Sequence, residues 1–418
     1  MEKILKVPVS KPSRVLLLTQ WFDPEPTFKG LVFARALIQR GFEVEVLTGF
    51  PNYPGGKIYP GYKVKWLQRE VIDGVHITRL PLYPNHDQSA FKRVLNYASF
   101  AASALFYGLF MAKRADVIYA YHPPLTVGMA ASIVRLIRRI PVVYDIQDIW
   151  PDSLQATGML TNPCALRLVD ALCNWVYRCV DRIVVLSPGF MRLLLQRGVP
   201  EAKLSVVYNW ADESSLTAPF AHVPAAFAAR GKFRILFAGN MGKAQALDAV
   251  LKAAELLQEQ GSCVHWMMLG SGVEVERLKA ESARRQLRNV AFLPAVSMAE
   301  VGVYLQAADA LLVHLRKDPL FEITIPSKTQ AYMAAGKPLL MAVGGDAGDL
   351  VKASGGGVVA EPENPQALAQ AAEQLAKTSP EILAAMGERA KAFYRQRMAL
   401  SVGVKRFDDL FRQLAHNR

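Results

Sequence analysis

Arg14-Val15-Leu16-Leu17-Leu18 and Arg234-Ile235-Leu236-Phe237-Ala238 are two short apolar runs, and each opens the same pattern in its half of the chain. The first is followed by the loop 19–29 and the second by the Gly-bearing loop 239–243. Each loop leads into a helical period, 30–40 stopped by Gly41 and 244–260 stopped by Gly261. Another apolar run follows each helix, at 44–48 and at 264–269. Continuous apolar runs alternating with stopped helices mark parallel βαβ units whose strands are covered on both faces. Further strands are expected at 117–120, 142–144, 183–186 and 206–208, then at 290–293, 310–315, 338–342 and 357–360. The fold class is α/β: two doubly wound, Rossmann-like domains facing across a central cleft, with ligands at the carboxyl ends of the strands. The expected domains are 1–218 and 232–391, joined by a Pro- and Ala-bearing linker at 219–231. A basic amphipathic tail, 392–418, is expected to pack back on the first domain.

With 418 residues, 51% hydrophobic and 20% charged, the chain is too long for one small domain and too apolar for a disordered polyelectrolyte. Lys and Arg number 49 against 36 Asp and Glu, a net +13 that favours phosphorylated small molecules or acidic lipid surfaces. The basic residues are spread out, and zinc-finger spacing and RNP-like aromatic runs are missing, so no nucleic acid partner is expected. Cys164, Cys173, Cys179 and Cys263 form no CxxC pair, which reads as reduced thiols in a cytoplasmic protein. The polar start, 1–13, does not read as a signal peptide. The most apolar stretch, 94–112, lies between Lys92-Arg93 and Lys113-Arg114 and contains Asn96, Ser99 and Ser103. It reads as a helix of the folded domain that also touches a membrane surface, rather than one that spans it. Phe91, Leu95, Phe100, Leu105, Phe106, Leu109 and Phe110 supply its apolar bulk.

Neither opening strand is followed by Gly-x-Gly-x-x-Gly with an acidic residue at the ribose-reading distance, which argues against a nicotinamide dehydrogenase. A different set of segments is specific. They are Gly41-Phe-Glu-Val-Glu-Val-Leu-Thr-Gly-Phe-Pro-Asn-Tyr-Pro54, Gln147-Asp-Ile-Trp-Pro-Asp-Ser153, Ser187-Pro-Gly-Phe190 with Tyr208-Asn-Trp210, Phe237-Ala-Gly-Asn-Met-Gly242, and Ile325-Pro-Ser-Lys-Thr-Gln-Ala-Tyr-Met-Ala-Ala-Gly-Lys-Pro338. In this order they resemble the retaining, GT-B-fold glycosyltransferases of family 4, nearest the O-antigen and capsule branch that includes the L-fucosamine (N-acetyl-L-fucosamine) transferases. The resemblance implies an acceptor-binding first domain and a second domain that holds a UDP-sugar. It also implies an undecaprenyl-diphosphate-linked saccharide as acceptor, metal-independent chemistry and a place on the cytoplasmic face of the inner membrane.

A glycosyl nucleotide leaves as a diphosphate, so negative charge grows on the β-phosphate as the anomeric bond breaks and must meet fixed donors and cations. Pro326 and Ser327 suit a helix start, whose free N–H groups attract phosphate. Lys328 in that first turn opposes the helix dipole, a conflict that a bound anion removes. The chain departs from the family at three places. Its Glu-x7-Glu pair falls at Ile323 and Ala331, with Glu322 one residue out of register; its Arg and Lys fall at Asn240 and Gln245; its histidine falls at Gln147. Phosphate binding then passes to Lys243, Arg316, Lys317 and Lys328, with Lys328 and Arg316 favoured, and Gly239, Asn240 and Gly242 let backbone approach the ligand. Gly30 is the parallel feature of the first domain, Leu293-Pro294 matches the family's uracil frame, and Gln330 completes the donor set.

Asp145, Gln147 and Asp148 lie where a strand ends, and an unpaired carboxylate is not buried cheaply. The run is therefore expected outside the core, with Asp148 first and Asp145 second as the group that orients or deprotonates the acceptor hydroxyl. The departing phosphate oxygen can take that proton on the same face instead. His122 and Gln147 are the expected acceptor contacts, while His265 and His314, inside apolar runs, read as core residues. No Asp/His cluster suggests a metal. Two other readings remain, a sugar-nucleotide epimerase on the same fold and a nucleotide-sugar-binding subunit without catalysis. Incubation with UDP-N-acetylhexosamine alone separates the first of these: an epimerase forms the epimer without acceptor, and a transferase does not.

Overall fold

The computed structural model describes residues 13–85, 90–216, 227 and 231–416. The expected linker, apart from Phe227 and Gly231, and residues 1–12 of the polar start lie outside them, as does the side chain of Phe91. The chain forms two units. One holds residues up to Val185, Leu194–Val206 and Val404 onward; the other holds Leu186–Leu193 and Val207–Gly403.

The first unit is built on eight strands: β1 (Arg14–Thr19), β2 (Glu43–Gly49), β3 (Gln68–Ile72), β4 (Val75–Leu80), β5 (Val117–Tyr121), β6 (Val142–Ile146), β7 (Arg182–Val185) and β8 (Leu204–Val206). Their order is β3-β4-β2-β1-β5-β6-β7-β8, parallel throughout except that β3 runs against β4. The second unit has six: β9 (Phe233–Ala238), β10 (Val264–Leu269), β11 (Val290–Leu293), β12 (Ala310–His314), β13 (Leu339–Ala342) and β14 (Gly357–Val359). They are all parallel, in the order β11-β10-β9-β12-β13-β14. Ile235 and Phe237 of β9 join one apolar cluster and Leu236 and Ala238 the other, so alternate side chains feed two cores. That two-sided burial is why the strands read as unbroken apolar runs.

Three expectations change. The β3–β4 hairpin was not anticipated, although Asp73-Gly74, both at positive φ (48° and 82°), is a two-residue hairpin turn. The eighth strand is Leu204–Val206 rather than 206–208, because Trp210 is needed elsewhere: it is 5% exposed and packs against Gly403 in the second unit. The chain consequently changes unit at 206/207, not at 218, and residues 186–193 also belong to the second unit. They are tied there by Ser187 Oγ donating to the Ile323 carbonyl (2.5 Å) and by Arg192 pairing with the buried Asp346 (2.7 Å). Within the expected linker, Phe227 is buried in the second unit's core against Tyr304.

The tail is two helices, Pro380–Arg397 and Leu400–His416, rather than one. Only residues from Val404 onward join the first unit. There Phe407 sits 5.1 Å from Phe33 and 5.3 Å from Tyr119, and Arg406 donates to the Val206 carbonyl (2.6 Å). The apolar stretch near 94–112 is the helix Ala90–Phe110, with Asn96, Phe100, Ala104 and Tyr107 turned inward. Among the described residues, no helix is long and apolar enough to cross a membrane. Phe407→Ala should remove about 3–5 kcal/mol from the first unit by opening a cavity among these rings, read as an earlier denaturant transition.

Candidate functional site

Each unit gathers its polar side chains at the carboxyl ends of its central strands. In the first unit, Lys29 Nζ lies 3.2 Å from Asp145 Oδ2, with both side chains fully buried. Tyr119 donates its hydroxyl to the same oxygen (2.6 Å), and Gln147 Nε2 donates to Oδ1 (2.5 Å). Burial lowers the Lys29 pKa, and Asp145 opposes that shift. The expectation that this aspartate lies outside the core is therefore corrected. It is core because a lysine 116 positions away pairs it, and with both oxygens engaged it is a bracing group rather than a second base candidate. Gln147 is drawn into the same brace.

Gly30 is corrected as well. The Asp23 carboxylate accepts from the Leu31 N–H (2.7 Å), and a Cβ on Gly30 would lie 2.0 Å from that oxygen. Gly30 thus makes room for an internal helix cap, and the amino end expected to face phosphate already holds a carboxylate. His122 is 1% exposed, its pKa is pushed down to about 3 by burial, and its ring meets Tyr144 and Trp150 edge-on. It is a neutral wall residue.

Asp148 is different. It retains exposed surface, yet the protein around its carboxyl raises its pKa by desolvation. Its charge acts on Tyr53, Tyr97 and Tyr121. Tyr53 stacks on Trp21 with centroids 4.3 Å apart, and Tyr97 leans on Trp150 at 6.5 Å. Below that pair, buried Glu25 accepts from the N–H groups of Asn52 and Tyr53 (both 2.7 Å) and of Phe22 (3.2 Å). Burial lifts the Glu25 pKa to about 7 against those three donors. Sequence reasoning missed Glu25 and Trp21; the quoted Phe50-Pro-Asn-Tyr segment was the available signal for their partners.

In the second unit the site is built from two interlocked turns and one helix. Gly239, Gly270 and Gly272 have φ of +128°, +141° and +148°; a Cβ on Gly270 would lie 2.0 Å from the Gly239 carbonyl, and one on Gly272 would lie 2.4 Å from that of Met241. The Met241 N–H donates to the Ser271 carbonyl (2.7 Å). Only glycine fits such approaches, and Gly270-Ser271-Gly272 went unremarked because its partner turn is 31 residues upstream, from Gly239 to Gly270.

The helix Ser327–Ala335 is pinned to β9 by Tyr332, whose hydroxyl accepts from the Ala238 N–H (2.9 Å). One turn earlier on the same face, Lys328 lays its Nζ 3.4 Å from the Phe237 ring centroid. A Cβ on Gly239 would come within 2.8 Å of Lys328 Cε. Lys328 and the Gly239 turn are thus brought together, and no carboxylate pairs with this lysine among the described residues. Burial lowers its pKa to about 7.

The remaining donor candidates divide. Asn240 and Lys243 are exposed on the turn, and the Asn240 amide lies beside Gly242. Gly242 donates to Gln245 Oε1 (2.9 Å), so the residue replacing the family's lysine closes the turn. Arg316, expected as a free cation, is paired with Asp318 (2.9 Å) and lies over Phe321. Gln330, expected at the donor, is buried, with its amide nitrogen placed to donate to the Pro326 and Ser327 carbonyls (2.7 and 3.1 Å). Ser327 is exposed at the helix start; Glu322 is exposed with its side chain beside Gly344; Leu293 and Pro294 end the edge strand β11. His314 is buried and satisfied by the Gln245 carbonyl (2.7 Å), whereas His265 is half-buried rather than core. No cluster of His, Cys, Asp and Glu suited to a metal occurs among the described residues.

Residues 31–210 match the model of the glycosyl transferase 4-like domain, and residues 223–393 that of glycosyl transferases group 1. The probable glycosyltransferase WbjE of Pseudomonas aeruginosa is 26% identical over 312 residues, covering 72% of this chain and 76% of that protein. The putative colanic acid biosynthesis glycosyl transferase WcaI of Escherichia coli (strain K12) is 27% identical over 315 residues, covering 72% and 75%. Among solved structures, Anabaena Alr3699/HepE in complex with UDP and glucose has a TM-score of 0.67 at 17% identity, over 96% of this chain and all of that one. That likeness is one of fold, GT-B. The two aspartates of the first unit should part in the test tube. Asp145→Asn deprives buried Lys29 of its carboxylate and should cost about 3–5 kcal/mol in chemical denaturation, and Asp148→Asn should leave stability within about 0.5 kcal/mol.

Proposed function

Taking the chain as a glycosyltransferase of the GT-B class, built from a 4-like and a group 1 domain, we propose that its donor is a UDP-sugar and that transfer retains the anomeric configuration. The acceptor is a lipid-linked saccharide, undecaprenyl-diphosphate-linked, and the product a surface polysaccharide of the O-antigen, capsule or exopolysaccharide kind. WcaI's name in colanic acid biosynthesis and HepE's complex with UDP and glucose support that reading. The transferred sugar is an N-acetylated 6-deoxyhexose, the unit of the branch that the sequence resembles, and the enzyme works at the cytoplasmic face of the inner membrane without a metal.

The observation that carries the donor side is Lys328, a half-buried ammonium beside a glycine turn with no carboxylate among the described residues to neutralise it. An arriving diphosphate supplies the missing counter-charge, and the interaction grows as charge develops on the leaving β-phosphate. Lys243 and Asn240 reach the same turn from its exposed side. On the acceptor side, Asp148 within its aromatic collar holds the attacking hydroxyl, with Trp21 and Tyr53 as a stacking surface for a sugar ring. The hydroxyl proton leaves with the phosphate oxygen on the same face of the sugar.

The sign of the pH effect follows from the depressed Lys328 pKa of about 7. Pyrophosphate pairs with the protonated amine, so UDP-sugar affinity should rise as pH falls through about 7. Without ligand, the folded chain binds fewer protons than the unfolded one between about 7 and the ordinary 10.5, so stability rises with pH across that window. Lys328→Met should flatten both dependences and lower kcat at least about tenfold, measured by calorimetry and by transfer assays. A thermal-shift screen of nucleotide-sugars tests the donor: a UDP-sugar at about 100 times its Kd should add about 2.7 kcal/mol. Stabilisation by a nicotinamide dinucleotide or by other nucleotides, and not by UDP species, would overturn the proposal.

A further inference from the structure

The helix Ala90–Phe110 buries one face but leaves the other without a polar covering. Between Arg93 and Lys113 it carries no charged residue at all, whereas the outward face of a helix in water is normally charged. Phe106 and Phe110 point outward with 45% and 74% of their surface exposed, and Leu95, on the same stripe, with 41%. The patch continues onto a second element. Trp66, in the loop before β3, is 67% exposed and meets Phe106 edge-on at 5.9 Å, while Phe106 meets Phe110 at 5.3 Å. Trp66, Phe106 and Met111 line one crevice together with Leu80 and Pro81. Monomers in water rarely leave a contiguous aromatic patch of this kind uncovered.

The segments that flank it are rich in basic residues. The loop before β3 contains Lys57, Lys63 and Lys65 and no acid from 57 to 67, and the acid that follows, Glu70 in β3, is paired with Arg79; the helix carries Lys92-Arg93 near its start and is followed by Lys113-Arg114, with no acid between them. Lys63 and Lys65 flank the exposed Val64 and lead directly into Trp66. Arg138, at the end of the neighbouring helix Leu125–Arg138, donates to the Gly108 and Ala112 carbonyls (2.6 and 2.9 Å) and so fixes the helix end that presents Phe110. An apolar stripe with an amphipathic Trp at its edge and a predominantly basic rim matches a lipid interface: rings enter the acyl boundary and ammonium groups meet phosphate headgroups.

We propose that the Trp66–Phe106–Phe110 surface, with Lys63, Lys65, Lys113 and Arg114, docks the first unit on an anionic phospholipid bilayer. The occupant is the membrane surface itself. Resting on the lipid-linked acceptor proposed above, this docking would bring the enzyme to the plane in which that acceptor lies.

Co-sedimentation of the full chain with vesicles tests it. Vesicles of phosphatidylglycerol and phosphatidylcholine should bind the chain, pure phosphatidylcholine should bind it at least about tenfold less, and raised salt should release it. Trp66→Ser with Phe110→Ser should lower partitioning about tenfold or more. Lys63→Glu with Lys65→Glu, at two exposed positions, should do the same. Neither pair should change the thermal shift caused by UDP. Unchanged vesicle binding in both pairs would overturn docking through this surface. So would a wild-type dimer that Trp66→Ser with Phe110→Ser dissociates, because a second copy would then be the occupant. The two readings fail separately. Transfer to a soluble acceptor without vesicle binding removes the docking alone, and vesicle binding without transfer from any nucleotide-sugar removes the donor reading alone.

Discussion

A parallel sheet covered on both faces has no lateral surface on which to do chemistry. Its strands are apolar along their length, and polar groups are tolerated only where the strands run out. Both units obey this constraint. In the first, Asp145 is the penultimate residue of β6, Asp148 comes two residues after that strand and Lys29 comes from the loop after β1; in the second, Gly239 and Gly270 directly follow β9 and β10, with Lys328 beside the Gly239 turn. The candidate residues are thereby confined to a few loops, and the question becomes which of them the fold uses for itself.

The answer depends on pairing. Asp145 and Lys29 are an ammonium–carboxylate pair, both without exposed side-chain surface and matched to each other. Breaking such a pair is costly, which makes it a structural brace. Lys328 is a half-buried cation, desolvated at its ammonium end, whose neighbours among the described residues are an aromatic ring and a glycine turn rather than a carboxylate. Desolvation without a partner depresses its pKa and leaves it poised for an anion from outside. Arg316 has the charge and Gln330 the N–H donors to meet an anion, but they are engaged by Asp318 and by the Pro326 and Ser327 carbonyls.

The second unit's glycines and the first unit's Glu25 show a shared economy. At Gly270 and Gly272 the lack of a Cβ lets two backbone turns lie in contact. At Glu25 a single carboxylate gathers three backbone N–H groups and so fixes the loop that carries Tyr53 against Trp21. In both cases a polar loop at a strand end is held rigid by contacts that leave its outer side for a ligand.

Local pattern was enough for the alternation of strands and stopped helices, the helix Ser327–Ala335 with Gly336 after it, and the ordered motifs that mark a glycosyltransferase, because each is written within a dozen consecutive residues. The Asp73-Gly74 hairpin was equally local and was passed over. What no local pattern could settle is which polar residue ends up paired. Asp145 and Asp148 sit three positions apart in one motif, yet one meets a lysine from the loop after β1, 116 residues upstream, and the other keeps its surface. Gly30 looked like a phosphate seat until Asp23 folded onto it, and the unit boundary moved to 206 because Trp210 found its packing partner near residue 403. Periodicity depends on neighbours along the backbone; charge compensation and steric clearance depend on neighbours through space, and only folding selects those.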